Sequence, residues 1–250
     1  MLHLKKIISK FFKIFGFQIQ KYSHKSNNVK EPYYHFRKML SNIKSPVIFD
    51  IGAYIGDTVS LFNASFPTST IHAFEPFDES FDHLENRFSD KKNIMVNNKA
   101  IGSSISNNQS MYITKNSGSS SLLQPEKDAN ILWKGDPLEF KKKINVKTTT
   151  IDFYCKKNNI KNIDLLKIDV QGSELDVLKG AEKILKDEMV KLIFTEISIA
   201  PNYKEQTDLD ALINYLKKYN FKIFNFFKMK HNNGRLIECD MLFFHDSIFN

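Results

Sequence analysis

The residues of this chain best placed to do chemistry are carboxylates at the ends of apolar runs. Asp50 lies in the first such run, Val47-Ile48-Phe49-Asp50-Ile51-Gly52-Ala53-Tyr54-Ile55-Gly56. Gly52 allows a sharp turn and lets a ligand approach the main chain, and Gly56 permits close packing of a following helix on the strand. The glycines stand at the first and fifth positions of the turn, not at the first, third and sixth of a dinucleotide fingerprint, so no pyrophosphate cradle is expected. Glu75 closes the second run, Ile71-His72-Ala73-Phe74-Glu75-Pro76. A carboxylate at such a strand end accepts both hydroxyl hydrogens of a ribose. Asp50 and Glu75 are 25 residues apart, close to the roughly twenty between a glycine turn and a ribose-binding acid.

Asp169 ends the run Ile163-Asp164-Leu165-Leu166-Lys167-Ile168 and stands at the carboxyl end of a strand expected to be central. Open α/β sheets bind ligands there, which makes Asp169 a candidate general base. Its alternative role is a carboxylate capping the helix that starts near Ser173, a role that also suits Glu174. Glu196, in Ile193-Phe194-Thr195-Glu196-Ile197, would face the same mouth. Two such acids admit a second mechanism in which Mg²⁺ polarises a hydroxyl, although no dedicated metal motif is present and no metal ligand is assigned. His72 is a third candidate base, on an apolar strand where a lone histidine more often packs in the core. Ser117 to Ser121 offer hydroxyls, and Trp133, the single tryptophan, could stack on a sugar ring or pin a loop to the core.

The elements that must position these groups follow from periodicity. From Pro46 onward short apolar runs alternate with amphipathic stretches, which argues for βαβ units and an α/β domain. Strands are expected near 46–51, 70–75, 93–98, 163–169, 190–197, 221–227 and 237–245, and helices near 56–65, 78–89, 150–159, 174–186 and 207–219. Residues 102–147 interrupt the alternation with Ser, Asn, Gly, Pro and Lys. They read as an insertion carrying a hairpin and mobile loops, a lid over the substrate.

Composition bounds the rest. The chain has 250 residues, is 42% hydrophobic and 26% charged, and carries a net charge of +8, as a globular protein does. Two cysteines, Cys155 and Cys239, make no disulfide framework and no CxxC, and no run of eighteen apolar residues occurs; a cytoplasmic location is expected. Residues 1–44 hold ten Lys and Arg against the single acid Glu31, a net of +9, which leaves the remainder near neutral and gives no surface for nucleic acid. Residues 4–15 place Leu4, Ile7, Ile8, Phe11, Phe12, Ile14 and Phe15 on one arc and four lysines opposite. This basic amphipathic helix suits either the inner face of an anionic membrane or packing on the domain. A polar linker and a short helix from Pro32 to about Ser41 complete the N-terminal segment, residues 1–44, ahead of a domain at 45–250.

Three further segments carry a resemblance. They are Asn98-Lys99-Ala100-Ile101-Gly102, Gly118-Ser119-Ser120-Ser121-Leu122, and the block Thr150-Ile151-Asp152 through Ile163 to Glu174 and on to Leu178-Lys179-Gly180-Ala181. With the Asp50 turn and Glu75, they resemble the FkbM-type methyltransferases, a branch of the class I S-adenosylmethionine-dependent enzymes, over about residues 46–245. That family usually has Glu where this chain has Gln171. The resemblance implies a Rossmann-like sandwich, with a seven-stranded, mostly parallel sheet whose last strand is antiparallel. It further implies S-adenosylmethionine as cofactor and methyl transfer to the hydroxyl of a small molecule or glycan. Asp50, Gly52, Ala53 and Gly56 would then border the methionine and ribose portions, Glu75 and Pro76 the ribose, and the turn from Asn98 to Ala100 the adenine. A nucleic-acid methyltransferase has only the basic N-terminal segment in its favour and lacks an Asn or Asp followed by Pro-Pro and an aromatic, and two further rival readings have weaker support. Asp208-Leu209-Asp210 matches a short acidic pattern of nucleotide-sugar glycosyltransferases, yet it opens an amphipathic helix whose dipole already explains it. A binding protein that keeps the fold without the activity is the other.

Overall fold

The computed structural model describes residues 31–249; the amphipathic helix and linker expected within residues 1–30 lie outside them. In chain order the elements are α1 (Glu31–Met39), β1 (Val47–Ile51), α2 (Asp57–Ser65), β2 (Thr70–Phe74), α3 (Asp78–Phe88) and β3 (Ile94–Asn97). The insertion follows, with β4 (Ala100–Ile101), β5 (Ser106–Thr114) and β6 (Phe140–Thr149). The second half contains α4 (Ile151–Lys157), β7 (Ile163–Ile168), α5 (Glu174–Lys179), α6 (Glu182–Lys186) and β8 (Val190–Ser198). The chain ends in α7 (Leu209–Lys217) and the hairpin β9 (Phe221–Asn232) and β10 (Arg235–His245).

Seven strands form the main sheet in the order β3-β2-β1-β7-β8-β10-β9. All neighbouring pairs from β3 to β8 are parallel, and β10 is antiparallel to both β8 and β9. Six strands therefore share one direction and β10 alone opposes them, as expected. Alternation along the strands splits the core into two layers. Ile48, Leu165, Leu192 and Phe194 pack with Tyr33 and Phe36 of α1, Val59 and Phe62 of α2, and Leu84 and Phe88 of α3. Phe49, Ile51, Leu166 and Ile193 face Ile151 and Cys155 of α4, Leu178 of α5, Leu185 of α6 and Leu212 and Leu216 of α7. With both faces covered, the central strands need apolar residues at every position, and all six residues of β7 are buried. The helix α1, read from sequence as part of the N-terminal segment, thus shares the core of the domain.

Two elements differ from the sequence expectation. The stretch 174–186 is two helices, divided at Gly180 and Ala181. A side chain on Gly180 would place its Cβ 2.1 Å from the Gly102 carbonyl oxygen, so the start of the insertion is packed directly into the break. The insertion is also more regular than a hairpin with loops. β6 pairs antiparallel with β5 and parallel with β4, forming a second, three-stranded sheet whose Met111, Ile113 and Val146 pack with Ala100 and Phe77.

The chain leaves β1 toward β2 and later returns on its other side with β7. The carboxyl ends of β1 and β7 therefore flank a switch point, where open sheets leave a crevice for ligands.

Candidate functional site

Beneath that crevice lies a buried charge pair. Asp50 and Lys167 are register partners on β1 and β7, and Lys167 Nζ lies 2.9 Å from Asp50 Oδ1. Neither strand could bury its charge singly. Lys167 Nζ also donates to the Gly52 carbonyl at 2.7 Å and sits 3.7 Å from Asp169 Oδ2. Burial works against its charge, but Asp50 and Asp169 outweigh burial and hold Lys167 above its ordinary pKa. The second oxygen of Asp50 accepts from Thr58 Oγ1. Asp50 consequently fixes the turn from below and does not line the crevice.

Above the pair is a cleft lined by Gly52, Tyr54, Glu75, Pro76, Ala100 and Asp169, with apolar walls from Phe74, Ile101, Met111 and Leu122. Gly52 has φ +77, and a Cβ there would stand 1.9 Å from the Asp169 carbonyl oxygen; only glycine lets the β1 and β7 ends approach so closely. Glu75 Oε2 accepts from Tyr54 N and Oε1 from Phe77 N, both at 2.9 Å. Each oxygen keeps a further lone pair for a ligand hydroxyl. Burial pushes Glu75 up to about 7, against the pull of those two N–H donors. The Tyr54 hydroxyl lies 3.0 Å from Ser117 Oγ, joining the β1 turn to the insertion over the cleft.

A second cleft shares Tyr54, Gly118, Asp169 and Gln171 with the first and extends past Trp133, Glu196, Asn202, Lys230 and Glu238. Asp169, one-third exposed at its side chain, is the carboxylate common to both clefts. Gln171 Nε2 donates to Asp169 Oδ1 and to Glu196 Oε1, each at 2.8 Å. Burial, and then the acids Asp169, Glu238 and Asp240, push Glu196 well above the usual carboxylate range, and the nearby Lys230 ammonium opposes that push. Lys230 pairs with Glu238 and lies 5.3 Å from the centre of the Trp133 ring. Trp133 Nε1 donates to Asn202 Oδ1 at 2.8 Å, which fixes the indole against the cleft.

The structure therefore brings Gly52, Glu75, Pro76, Ala100, Asp169 and Glu196 together. Other expected residues stand behind them. Ala53 is buried, its N–H donating to the Phe74 carbonyl, and Gly56 at φ +88 abuts Phe88 and Leu84. Asn98 Nδ2 donates to Asp78 Oδ1 at 3.1 Å and shapes the turn, while its neighbours Lys99 and Ala100 line the cleft. His72 lines neither cleft. It is buried among Phe49 and Tyr154, its Nδ1 is 2.9 Å from the Tyr154 hydroxyl, and burial lowers its pKa to about 4. A histidine on a strand interior has no path to a substrate, and the base candidates reduce to the two carboxylates. Asp208 and Asp210, at the start of α7, also line neither cleft.

Sequence reasoning left Tyr54, Lys167, Tyr203, Lys230 and Glu238 without a role. Lys167 carried a usable signal: a lysine inside an otherwise apolar strand must find an acid partner. The residues of the last hairpin carried none, because only the pairing of β10 with β8 brings Glu238 beside Ser198 and Asp240 beside Glu196.

A parallel sheet with one reversed strand and a crevice at its switch point defines a Rossmann-like fold. That fold is shared with an rRNA methylase from Streptococcus thermophilus, with a TM-score of 0.50 at 12% identity over 89% of this chain and 99% of that one. The methyltransferase FkbM domain matches residues 50–223, and the chain belongs to this family of methyltransferases. It is 27% identical over 181 residues to the 2-O-methyltransferase NoeI of Sinorhizobium fredii, covering 70% of this chain and 72% of that protein. It is also similar to Methyltransferase 1 of Beauveria bassiana, 26% identical over 145 residues that make up 54% of this chain and 58% of that protein.

Proposed function

We propose that this methyltransferase moves a methyl group from S-adenosylmethionine to a hydroxyl oxygen of a sugar or glycan. The observation that carries the reading is the meeting of two clefts at one carboxylate, Asp169. The first cleft fits the cofactor. Glu75 at its rim has lone pairs for the two ribose hydroxyls, the slot between Pro76, Ile101, Met111 and Leu122 suits a flat base, and the Gly52 turn leaves main chain at the methionine side. When bound, the cofactor supplies a sulfonium methyl open to in-line displacement. Asp169 would hold the acceptor hydroxyl and take its proton as the methyl passes from sulfur to oxygen, the S–C bond breaking to leave S-adenosylhomocysteine.

The second cleft suits a neutral, hydroxyl-rich acceptor. Carboxylates and Asn202 accept and donate to hydroxyls, and Trp133 offers a ring face for stacking. Its walls carry three acids, Asp169, Glu196 and Glu238, against one lysine, Lys230, a balance that disfavours a phosphate backbone and supports an acceptor other than nucleic acid. The 2-O-methyltransferase named among the relatives supports oxygen as the methylated atom. Asp169→Asn is expected to lower turnover by about 10²-fold or more, in the range of general-base loss, while S-adenosylhomocysteine affinity stays within a few fold. Full activity in that variant would clear Asp169 of base duty.

The lysine-rich residues 4–15 support a place for the enzyme at an anionic membrane face, where a lipid-borne glycan would be presented. Among the described residues no helix is long and apolar enough to cross a membrane. The full-length chain is expected to sediment with anionic vesicles and to release in high salt; equal recovery with neutral vesicles would defeat this reading.

A further inference from the structure

Among the described residues, Gln171 is the side chain that bonds both Asp169 and Glu196, two of the three acids that line the acceptor cleft. Its Nε2 spends one N–H on Asp169 Oδ1 and the other on Glu196 Oε1, both at 2.8 Å. The nitrogen end of the amide faces the two acids and supplies a donor to each. The other end is held as well: Oε1 lies 3.1 Å from the Tyr203 hydroxyl, which also reaches the Ser119 carbonyl at 2.6 Å. The Gln171 main-chain carbonyl accepts from Ser121 Oγ at 2.7 Å. These bonds keep the residue at φ +59, a left-handed conformation that non-glycine residues adopt only when their surroundings impose it.

Two acids that converge on one point repel unless something electropositive lies between them. Proteins commonly place a proton or an oxygen-bound divalent cation there. Here a neutral amide nitrogen occupies that point. Lys167 lies 3.7 Å from the other oxygen of Asp169, Oδ2, which keeps a lone pair beside that ammonium, while Glu196 Oε2 carries no hydrogen bond among the described residues.

We propose that Gln171 is a positioning residue that stands where a divalent cation would otherwise bridge Asp169 and Glu196, so that this methyltransferase aligns its acceptor without a metal between the two acids. The inference rests on the reading of Asp169 as the acceptor-side carboxylate. Its chemical consequence is specific. Replacing Gln171 by Glu removes both N–H donors and puts a third carboxylate at the same point, an all-oxygen set of the kind that hard divalent cations bind.

The test uses full-length wild type, Gln171→Glu and Gln171→Met, with MgCl₂ and MnCl₂ as probes and EDTA as control. Wild type should melt at the same temperature in all three conditions. Gln171→Glu should melt lower than wild type in EDTA, recover in Mn²⁺ or Mg²⁺, and bind Mn²⁺ at least tenfold more tightly than wild type by calorimetry. Gln171→Met should melt lower than wild type and gain nothing from either metal, which separates cation replacement from simple loss of packing. Stoichiometric Mn²⁺ binding by wild type that disappears in Asp169→Asn would overturn the proposal, as would a Gln171→Glu protein indifferent to both metals. If Gln171→Glu folds only when Mn²⁺ is present, that dependence supports the proposal, and the wild-type titration still decides independently. Titration of wild type with S-adenosylhomocysteine keeps the two readings apart: absence of binding defeats the cofactor assignment, whereas binding together with a wild-type metal site defeats only the role given to Gln171.

Discussion

In the proposed site, Glu75 would couple local structure to ligand affinity. It is buried at the end of β2, and its two oxygens tie down the N–H groups of Tyr54 and Phe77. Those bonds orient it, and burial sets its pKa at about 7. On the proposed reading ribose hydroxyls would donate to the ionised carboxylate, so below about pH 7 a proton would have to leave before the ligand binds. Affinity for S-adenosylhomocysteine is therefore expected to fall as pH drops from about 8 to about 6, and to be weak but nearly flat across that range in Glu75→Gln. Glu75→Ala should cost roughly 1.5–3 kcal/mol of binding, the worth of hydrogen bonds to a charged group. Calorimetry across the pH range checks both; unchanged affinity in the alanine variant would mean that the ribose lies elsewhere. The acid was legible in the sequence because of its spacing from the glycine turn. Its raised pKa was not, because burial comes from Phe74, Phe77 and the distant insertion.

The β1 turn was legible as an element and only partly as a site. Alternation, the two glycines and the following amphipathic stretch located the strand, turn and helix within a residue or two. What the turn packs against was invisible, since the closest neighbour of Gly52 is the Asp169 carbonyl, 117 positions away in sequence. Gly52→Ala combines an unfavourable φ with a direct backbone clash and should destabilise the fold by at least about 2 kcal/mol. Gly102→Ala meets nothing within 4 Å and should stay within about 0.5 kcal/mol of wild type. Urea unfolding of the two variants provides the comparison, and equal midpoints would show that the two strand ends separate easily. His72 teaches the same lesson from the other direction. Its place on β2 was correctly read, but which layer it faces depends on the sheet neighbours, and Phe49 and Tyr154 put it in the core.

The two-layer core ties the N-terminal helix to the strands that carry the candidate site. Phe36 of α1 is fully buried and its ring lies 5.1 Å from Phe194 on β8 and 6.2 Å from Phe62 on α2. Phe36→Ala should therefore cost about 3–5 kcal/mol in thermal or urea unfolding, as for other buried aromatics; a smaller effect would make α1 a peripheral attachment. The boundary drawn from composition near residue 44 follows charge, and charge does not report packing. Local signals, namely period-two and period-3.6 patterns, turn glycines and acids at strand ends, were enough to establish the α/β class, the reversed last strand through resemblance, and the Gly52 to Glu75 half of the crevice. Long-range pairing settled the remainder. The register of β1 on β7 joined Asp50 to Lys167, the pairing of β10 on β8 brought Glu238 and Asp240 to Glu196, and the insertion folded back to set Ser117 over Tyr54 and Trp133 beside Lys230. Such contacts depend on which distant segments meet, and residue spacing along the chain carries almost no information about that when the loops between them close at nearly the same entropic cost over a wide range of lengths.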